Sequence, residues 1–399
     1  MTTGVASSAD ASPTGSTSGV GTTDAGVRDR QESNTTNGTA APNVSRVLAF
    51  PPRANRKSAV RAVRIDAGAI TGLDAEVAGW RMETIATVNR IENAPPSERA
   101  AVVREEVDRV EAAADRLRRQ QRQALTAFVN GSLTSREVTV RLLRIHALAG
   151  ALQSRATRLG SIAESSAAVN ESVATDAETV ALNLRALRGP VRSRALAAAR
   201  GDRAPTRVFV ATTELGVVLS TIDRGVFIRE AYLGRLWGEP GALQSAAASS
   251  DVVADSYPEI WAARNATEID AVGFGSTFRL VVPHAGGELD AFVRRNEDVA
   301  RAVQRVPLSA FPPGPSVRET VNGVRVIVNR TYPGGPMRIT VRDAETGEPL
   351  DAQVTISVDG TTGSVVGRTG SDGQLWTLSP GVQFTVTADA GAQRISQLT

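Results

Sequence analysis

The chain has 399 residues, 41% hydrophobic and 22% charged, with 45 Lys plus Arg against 42 Asp plus Glu and no cysteine. That length implies about two to four domains. Zero cysteine excludes disulfides, thiolate nucleophiles and cysteine-ligated metals, and a net charge of +3 exerts little long-range pull on a polyanion.

Residues 1–45 are Ser, Thr, Gly, Ala and Asp with almost nothing apolar to bury, a disordered composition. The first twenty, "MTTGVASSADASPTGSTSGV", lack the basic and apolar regions of a signal peptide. The expectation is that the protein stays inside, or that the chain starts after a leader or at a misassigned position. Asn34, Asn37 and Asn43 each open an Asn-x-Ser/Thr acceptor triplet, and Asn130, Asn170, Asn265 and Asn329 open four more. Composition predicts roughly two such triplets by chance. Surface glycosylation is one reading of the excess, and a Ser/Thr-rich tail that makes triplets by composition is the other.

Residues 46–68 read as a basic linker. Arg53, Arg56, Lys57, Arg61 and Arg64 could touch a phosphate backbone or an anionic lipid surface. No aromatics are interleaved to stack on bases, so a solvated linker is the plainer reading.

Residues 69–201 carry a helical period. Val103, Val107, Val110, Ala114, Leu117, Gln121, Ala124 and Phe128 alternate spacings of four and three, a heptad seam. Asn130-Gly131 stops that helix, and Thr134 with Glu137 makes a capping box that opens the next. The second helix repeats the seam through Val138, Leu142, Ile145, Ala149, Leu152, Ala156, Leu159 and Ala163. So short a connection forces an antiparallel hairpin. Leu73, Val77, Trp80, Thr84, Val88 and Ile91 offer a third helix, and Thr175 with Glu178 suggests another capping box. The seams fit either a closed intramolecular three-helix coiled coil or self-association.

From 205 to 307 the period changes to two. "TRVFVATTELGVVLSTIDRGVFIREAYL" reads as a three-stranded meander, a helix follows around 243–263, and "STFRLVVPHAGGELDAFVRR" is a further hairpin. Together they make a small α+β domain. "LSAFPPGPSV", 308–317, reads as a Pro/Gly linker, and 316–399 as short alternating strands of a β-sandwich. The fold class is therefore multi-domain α and β: helical hairpin, α+β middle, antiparallel sandwich.

No constellation assembles a catalytic, cofactor or metal site. His146, beside seam residue Ile145, reads as a helix-packing residue, and His284, before Gly286-Gly287, as a turn residue. No Gly-Lys-Ser/Thr phosphate loop and no Gly-x-Ser-x-Gly elbow occurs. Glu105-Glu106 reads as a solvated pair among arginines. Asp343, Asp359 and Asp372 could offer oxygens to Ca²⁺, although capping their own turns is the commoner use.

The stretch "MRITVRDAETGEPLDAQVTISVDG…GRTGSDGQLWTLSPGVQFTVTA" resembles transthyretin-like, carboxypeptidase-regulatory-type Ig-like domains. The matching residues are Asp343, Thr346, Gly347, Pro349, Leu350, Ala352, Val354, Thr369, Asp372, Gly373, Pro380 and Gly381. The resemblance implies a structural or adhesive module on an exported protein. The middle region is faintly similar to PepSY-type domains at Leu289 and Ala291. From Asn43 onward the chain resembles a group of uncharacterised exported haloarchaeal proteins. They share the start Asn43–Pro51, the hairpin turn Val129–Glu137, the junction Gly189–Arg192 and the strand entry Thr331–Pro336. Such proteins begin with a signal peptide and carry more acids than bases, and this chain departs from both. The resemblance implies an exported protein, and with the acceptor triplets and the lack of a catalytic constellation the expectation is an extracellular or cell-surface glycoprotein that is not an enzyme. Its expected partners are other surface proteins or its own copies, with no nucleic acid, no cofactor and no transmembrane segment. The rival reading is a cytoplasmic scaffold that touches nucleic acid or anionic lipid through the basic linker.

Overall fold

The computed structural model describes residues 56–167, 169–237, 245–295, 298–358, 362–391 and 394–398. The 1–45 segment, with Asn34, Asn37 and Asn43, lies outside them, as do Arg53 and Asp359.

Five helices come first: α1 (Ala67–Asn93), α2 (Pro96–Val129), α3 (Ser135–Ser165), α4 (Glu171–Arg185) and α5 (Pro190–Arg200). Pro96 opens α2 at the first helical position, where the missing N–H is no loss. Thr134 and Glu137 close the capping box: Thr134 Oγ1 accepts from the Glu137 N–H at 3.2 Å, and Glu137 Oε2 accepts from the Thr134 N–H at 2.8 Å. All sixteen seam residues of α2 and α3 are buried. α3 sits centrally and packs against α1, α2 and α4. A fourth helix, α4, joins the three that were expected, and the α2 and α3 seams are buried within one chain. α1 packs more loosely. Trp80, Thr84 and Val88 stay half-buried, and Met82 and Ile85 face solvent. The capping box expected at Thr175 does not form. The cap of α4 lies five residues earlier, where Asn170 Oδ1 accepts from the Ser172 N–H at 3.0 Å.

The strands β1 (Lys57–Val63), β2 (Thr206–Thr213), β3 (Gly216–Asp223), β4 (Val226–Leu233), β5 (Asp270–Phe274), β6 (Thr277–His284), β7 (Gly287–Arg295) and β8 (Asp298–Pro307) form one antiparallel sheet. Its order is β1-β2-β3-β4-β8-β7-β6-β5: the meanders β2–β4 and β5–β8 join at β4 and β8, and β1 adds to the β2 edge. Two short helices, α6 (Ala246–Ser256) and α7 (Pro258–Ala262), stand where one was expected, because Pro258 interrupts the run.

Two sequence expectations are corrected here. Lys57–Val63 is no linker: it is an edge strand paired with β2 in the register Val60 to Phe209. Odd-numbered residues of "KSAVRAV" turn to the helices and even ones to the opposite face. Val63 joins the helix-side core and Lys57 lies 4.7 Å over the Phe128 ring, whereas Val60 meets Phe209 on the far side. The helical and α+β regions are also not separate in packing. One hydrophobic core runs continuously from Val63 through the bundle to Val303 in β8.

The sandwich has two four-stranded sheets. One is ordered β14-β11-β10-β9, from β9 (Ser316–Val321), β10 (Val324–Arg330), β11 (Pro336–Asp343) and β14 (Gln374–Leu378). The other is ordered β13-β12-β15-β16, from β12 (Gln353–Val358), β13 (Ser364–Arg368), β15 (Phe384–Asp389) and β16 (Arg394–Leu398). Its core is the period-two set Val324, Val326, Val328; Met337, Ile339, Val341; Ala352, Val354, Ile356; Phe384, Val386, Ala388.

This sandwich is seated on the face of the large sheet that the helices leave open. Phe209, Phe227, Leu308 and Leu378 form a third core there. Phe311 meets Phe227 edge-on at 5.6 Å, Tyr332 does so at 6.4 Å, and the Arg229 guanidinium lies over Tyr332 at 5.3 Å. Leu308 and Phe311, expected in a plain linker, are thus part of the joint. The Tyr-Pro-Gly-Gly turn supplies its tight approach: a Cβ on Gly334 would fall 2.4 Å from the Phe209 ring, and its φ is +76°.

Candidate functional site

The Gly189–Arg192 junction stands where the bundle meets the sheet. Pro190 starts α5 with Gly189 as its N-cap. The first-turn N–H groups of α5 need an acceptor, and one arrives from β4. Glu230 Oε2 accepts from the Val191 N–H at 3.2 Å, and Oε1 accepts from Arg192 Nε at 2.9 Å. Arg192 also donates to Gln121 Oε1 at 3.0 Å and to the Leu187 carbonyl at 2.7 Å. This explains the one polar residue of the α2 seam. Gly189 is required by space: its φ of −167° is ordinary, but an added Cβ would stand 1.7 Å from Glu230 Oε2.

His146 closes the other side of the junction. Its Nδ1 accepts from the Gly189 N–H at 3.3 Å, which leaves the ring proton on Nε2. Burial pushes its pKa down to about 3, and Arg188, Arg192, Arg200 and Arg301 add to the depression. The imidazole is therefore neutral at pH 7, in a positive field. Arg301 of β8 donates to the Arg188 carbonyl at 2.7 Å and lies over the Phe292 ring. Burial lowers its pKa to about 10.

Above His146 a groove of about 520 Å³ opens between α1, α3 and α5. Arg81, Arg188 and Arg200 line it with Ser154 and Ser193, over an apolar floor that includes Val77, Ala147 and Leu196. No carboxylate is among its lining residues. A second recess, about 290 Å³ between β1, α1 and α3, is lined in part by Asp66, which pairs with Arg136 at 2.8 Å.

Glu105 is exposed, as the solvated reading requires, but Glu106 is not: it is 0% exposed. Its carboxylate accepts from Arg155, Arg90, Arg109 and Thr87. Arg155, itself 3% exposed, also donates to Thr87 Oγ1 at 2.9 Å and pairs with Glu83 at 3.2 Å. The signal was present, because Glu106, Arg155 and Thr87 each directly precede a seam residue of α2, α3 or α1.

The remaining candidates are dispersed. Asn130, Asn170 and Asn265 are exposed, at a helix C-cap, a helix N-cap and a turn, whereas Asn329 is half-buried in β10. His284 ends β6, and its Nδ1 accepts from the Gly286 N–H at 3.1 Å. Asp343 Oδ1 accepts from the N–H groups of Glu345 and Thr346, and Asp372 from that of Gln374. Among the described residues no three His, Cys, Asp or Glu side chains cluster as a metal site, and no helix is long and apolar enough to cross a membrane.

Three family models match. Residues 316–397 match the archaeal fibronectin-III type-like domain, an Ig-like sandwich of a different type from the carboxypeptidase-regulatory one that the motifs resemble. Residues 208–312 match DUF7094, a family of unknown function. No curated protein and no solved structure matches the chain. Residues 2–204, about half of the chain, match the domain of unknown function DUF7096, and the chain belongs to that family.

Proposed function

We propose that this is a secreted or cell-surface glycoprotein with a structural, adhesive or interaction role toward other surface proteins, and with no catalytic site. The observation that carries the reading is the placement of the acceptor asparagines. Asn130, Asn170 and Asn265 are exposed at helix ends and a turn, where a glycan can be attached without disturbing the core. The fibronectin-III type-like domain fits the same role, because such sandwiches commonly serve cell-surface proteins. The cytoplasmic rival relies on a free basic segment, and Lys57 and Arg61 are committed to β1, with Lys57 held over Phe128.

Glycopeptide mass spectrometry on protein from its native cells tests the reading. Glycans are expected on Asn130, Asn170 and Asn265, and on Asn329 to a lesser degree. Protein recovered from the cytosol with all of these asparagines bare would favour the rival.

A further inference from the structure

The groove over His146 has a charge arrangement that the stability of the fold does not require. Three guanidinium groups face one recess with no carboxylate in its lining. Arg200 is held from outside by Asp74 at 2.6 Å, and Arg188 by the neutral Gln153 at 2.7 Å. Arg188 Nε finds no acceptor, although the side chain is half-buried against Gly150. Arg81 forms no ion pair with the described residues. Like charges gathered at a partly desolvated surface repel one another, and a bound anion removes that cost. The depressed pKa of His146, to which Arg188 and Arg200 both contribute, reports the same field from inside the recess. The floor is different: Val77, Ala147, Ala151, Leu196 and Ala197 are apolar.

We propose that this groove binds a small organic anion, an oxyanion head carried on a short apolar body. Arg81 and Arg188 hold the head with charge-assisted hydrogen bonds, and the apolar body lies on the small-residue floor between α1 and α3. Carboxylate and phosphate heads share this chemistry.

The chain contains two histidines, so histidine-selective ¹³C labelling gives two ring signals, assigned by His284→Gln. The full-length protein at pH 7 is titrated with sodium hexanoate, hexyl phosphate, inorganic phosphate and hexanol. The expected result is a saturable shift of the His146 signal, with His284 unmoved, on adding hexanoate or hexyl phosphate. Whichever binds more tightly identifies the head group. Arg81→Gln, on an exposed helical face, should weaken binding about tenfold with an unchanged far-UV spectrum. Arg188→Gln should do the same. An unmoved His146 signal with every probe would overturn the proposal. So would hexanol binding as well as hexanoate, or Arg81→Gln and Arg188→Gln both leaving affinity intact. Inorganic phosphate binding as tightly as hexyl phosphate would overturn the role of the apolar floor.

Discussion

Glu230 on β4 and Arg192 on α5 face each other at 2.9 Å with 4% and 3% exposure, and the carboxylate also caps the N–H of Val191. A negative charge at a helix N-terminus is favoured twice over, by the orphan N–H groups and by the helix dipole. The pair therefore locks the last helix of the bundle to the sheet.

Gly189→Ala should be among the most damaging single-methyl additions in the chain. The new Cβ would overlap the Glu230 carboxylate, so either α5 shifts or the carboxylate loses its partners. A loss of about 2–3 kcal/mol is expected from overpacking and a broken buried pair. Urea unfolding followed by circular dichroism measures it, and a loss below about 0.5 kcal/mol would contradict this account.

Glu106→Gln should cost more than Glu105→Gln. The Gln side chain leaves Arg155 buried without a full counter-charge, which costs on the order of 3–5 kcal/mol. Glu105 is exposed, and its loss should fall within about 0.5 kcal/mol of neutral. The double variant Glu106→Leu with Arg155→Met should recover much of the loss, because an apolar pair needs no desolvation. Comparing the midpoints of the three variants checks this.

His146 should make the fold acid-sensitive. Its pKa is about 3 folded against 6.5 for a free side chain. Between those values the unfolded state binds more protons, so the stabilisation is complete above about pH 6.5 and declines as pH falls toward 3. The full range amounts to roughly 5 kcal/mol. His146→Asn keeps an acceptor for the Gly189 N–H and removes the titration. The variant should lose less stability than the parent between pH 6.5 and pH 4, measured as the difference in unfolding free energy.

The sandwich should unfold with the rest of the molecule as long as its aromatic joint is intact. Phe311→Ala with Tyr332→Ala removes two edge contacts to Phe227 and the ring beneath Arg229. Each aromatic pair contributes about 0.5–1.5 kcal/mol beyond its buried area. Calorimetry should resolve one transition in the parent and two in the double variant, and proteolysis should then cut between residues 308 and 316.

Much of the fold was legible from periodicity. The seams of α2 and α3 are buried at every position read from spacing alone, since a helix has only one way to present residues three and four apart to a common neighbour. The meander β2–β4 and the hairpin β6–β7 follow from alternation in the same way. β8 was missed because both of its faces are covered, so Val299, Ala300, Ala302 and Val303 are all buried and no alternation remains to read. β1 was missed because arginines fill its pattern and its partner lies about 150 residues further along the chain, beyond the helices.

By itself the sequence determined the long helices, the meander β2–β4, the hairpin β6–β7 and where most turns fall, because backbone sterics and local burial patterns act over a few residues. It also determined the exclusions that follow from composition, since a chain without cysteine cannot form a disulfide or a thiolate centre anywhere. Only the tertiary structure decided that bundle and sheet share one core, that the sandwich is seated on the opposite sheet face, and that Glu106, His146 and Glu230 are buried. A polar side chain's surroundings depend on elements distant in sequence. Whether a carboxylate meets water or a guanidinium is settled by which helix or strand packs across from it.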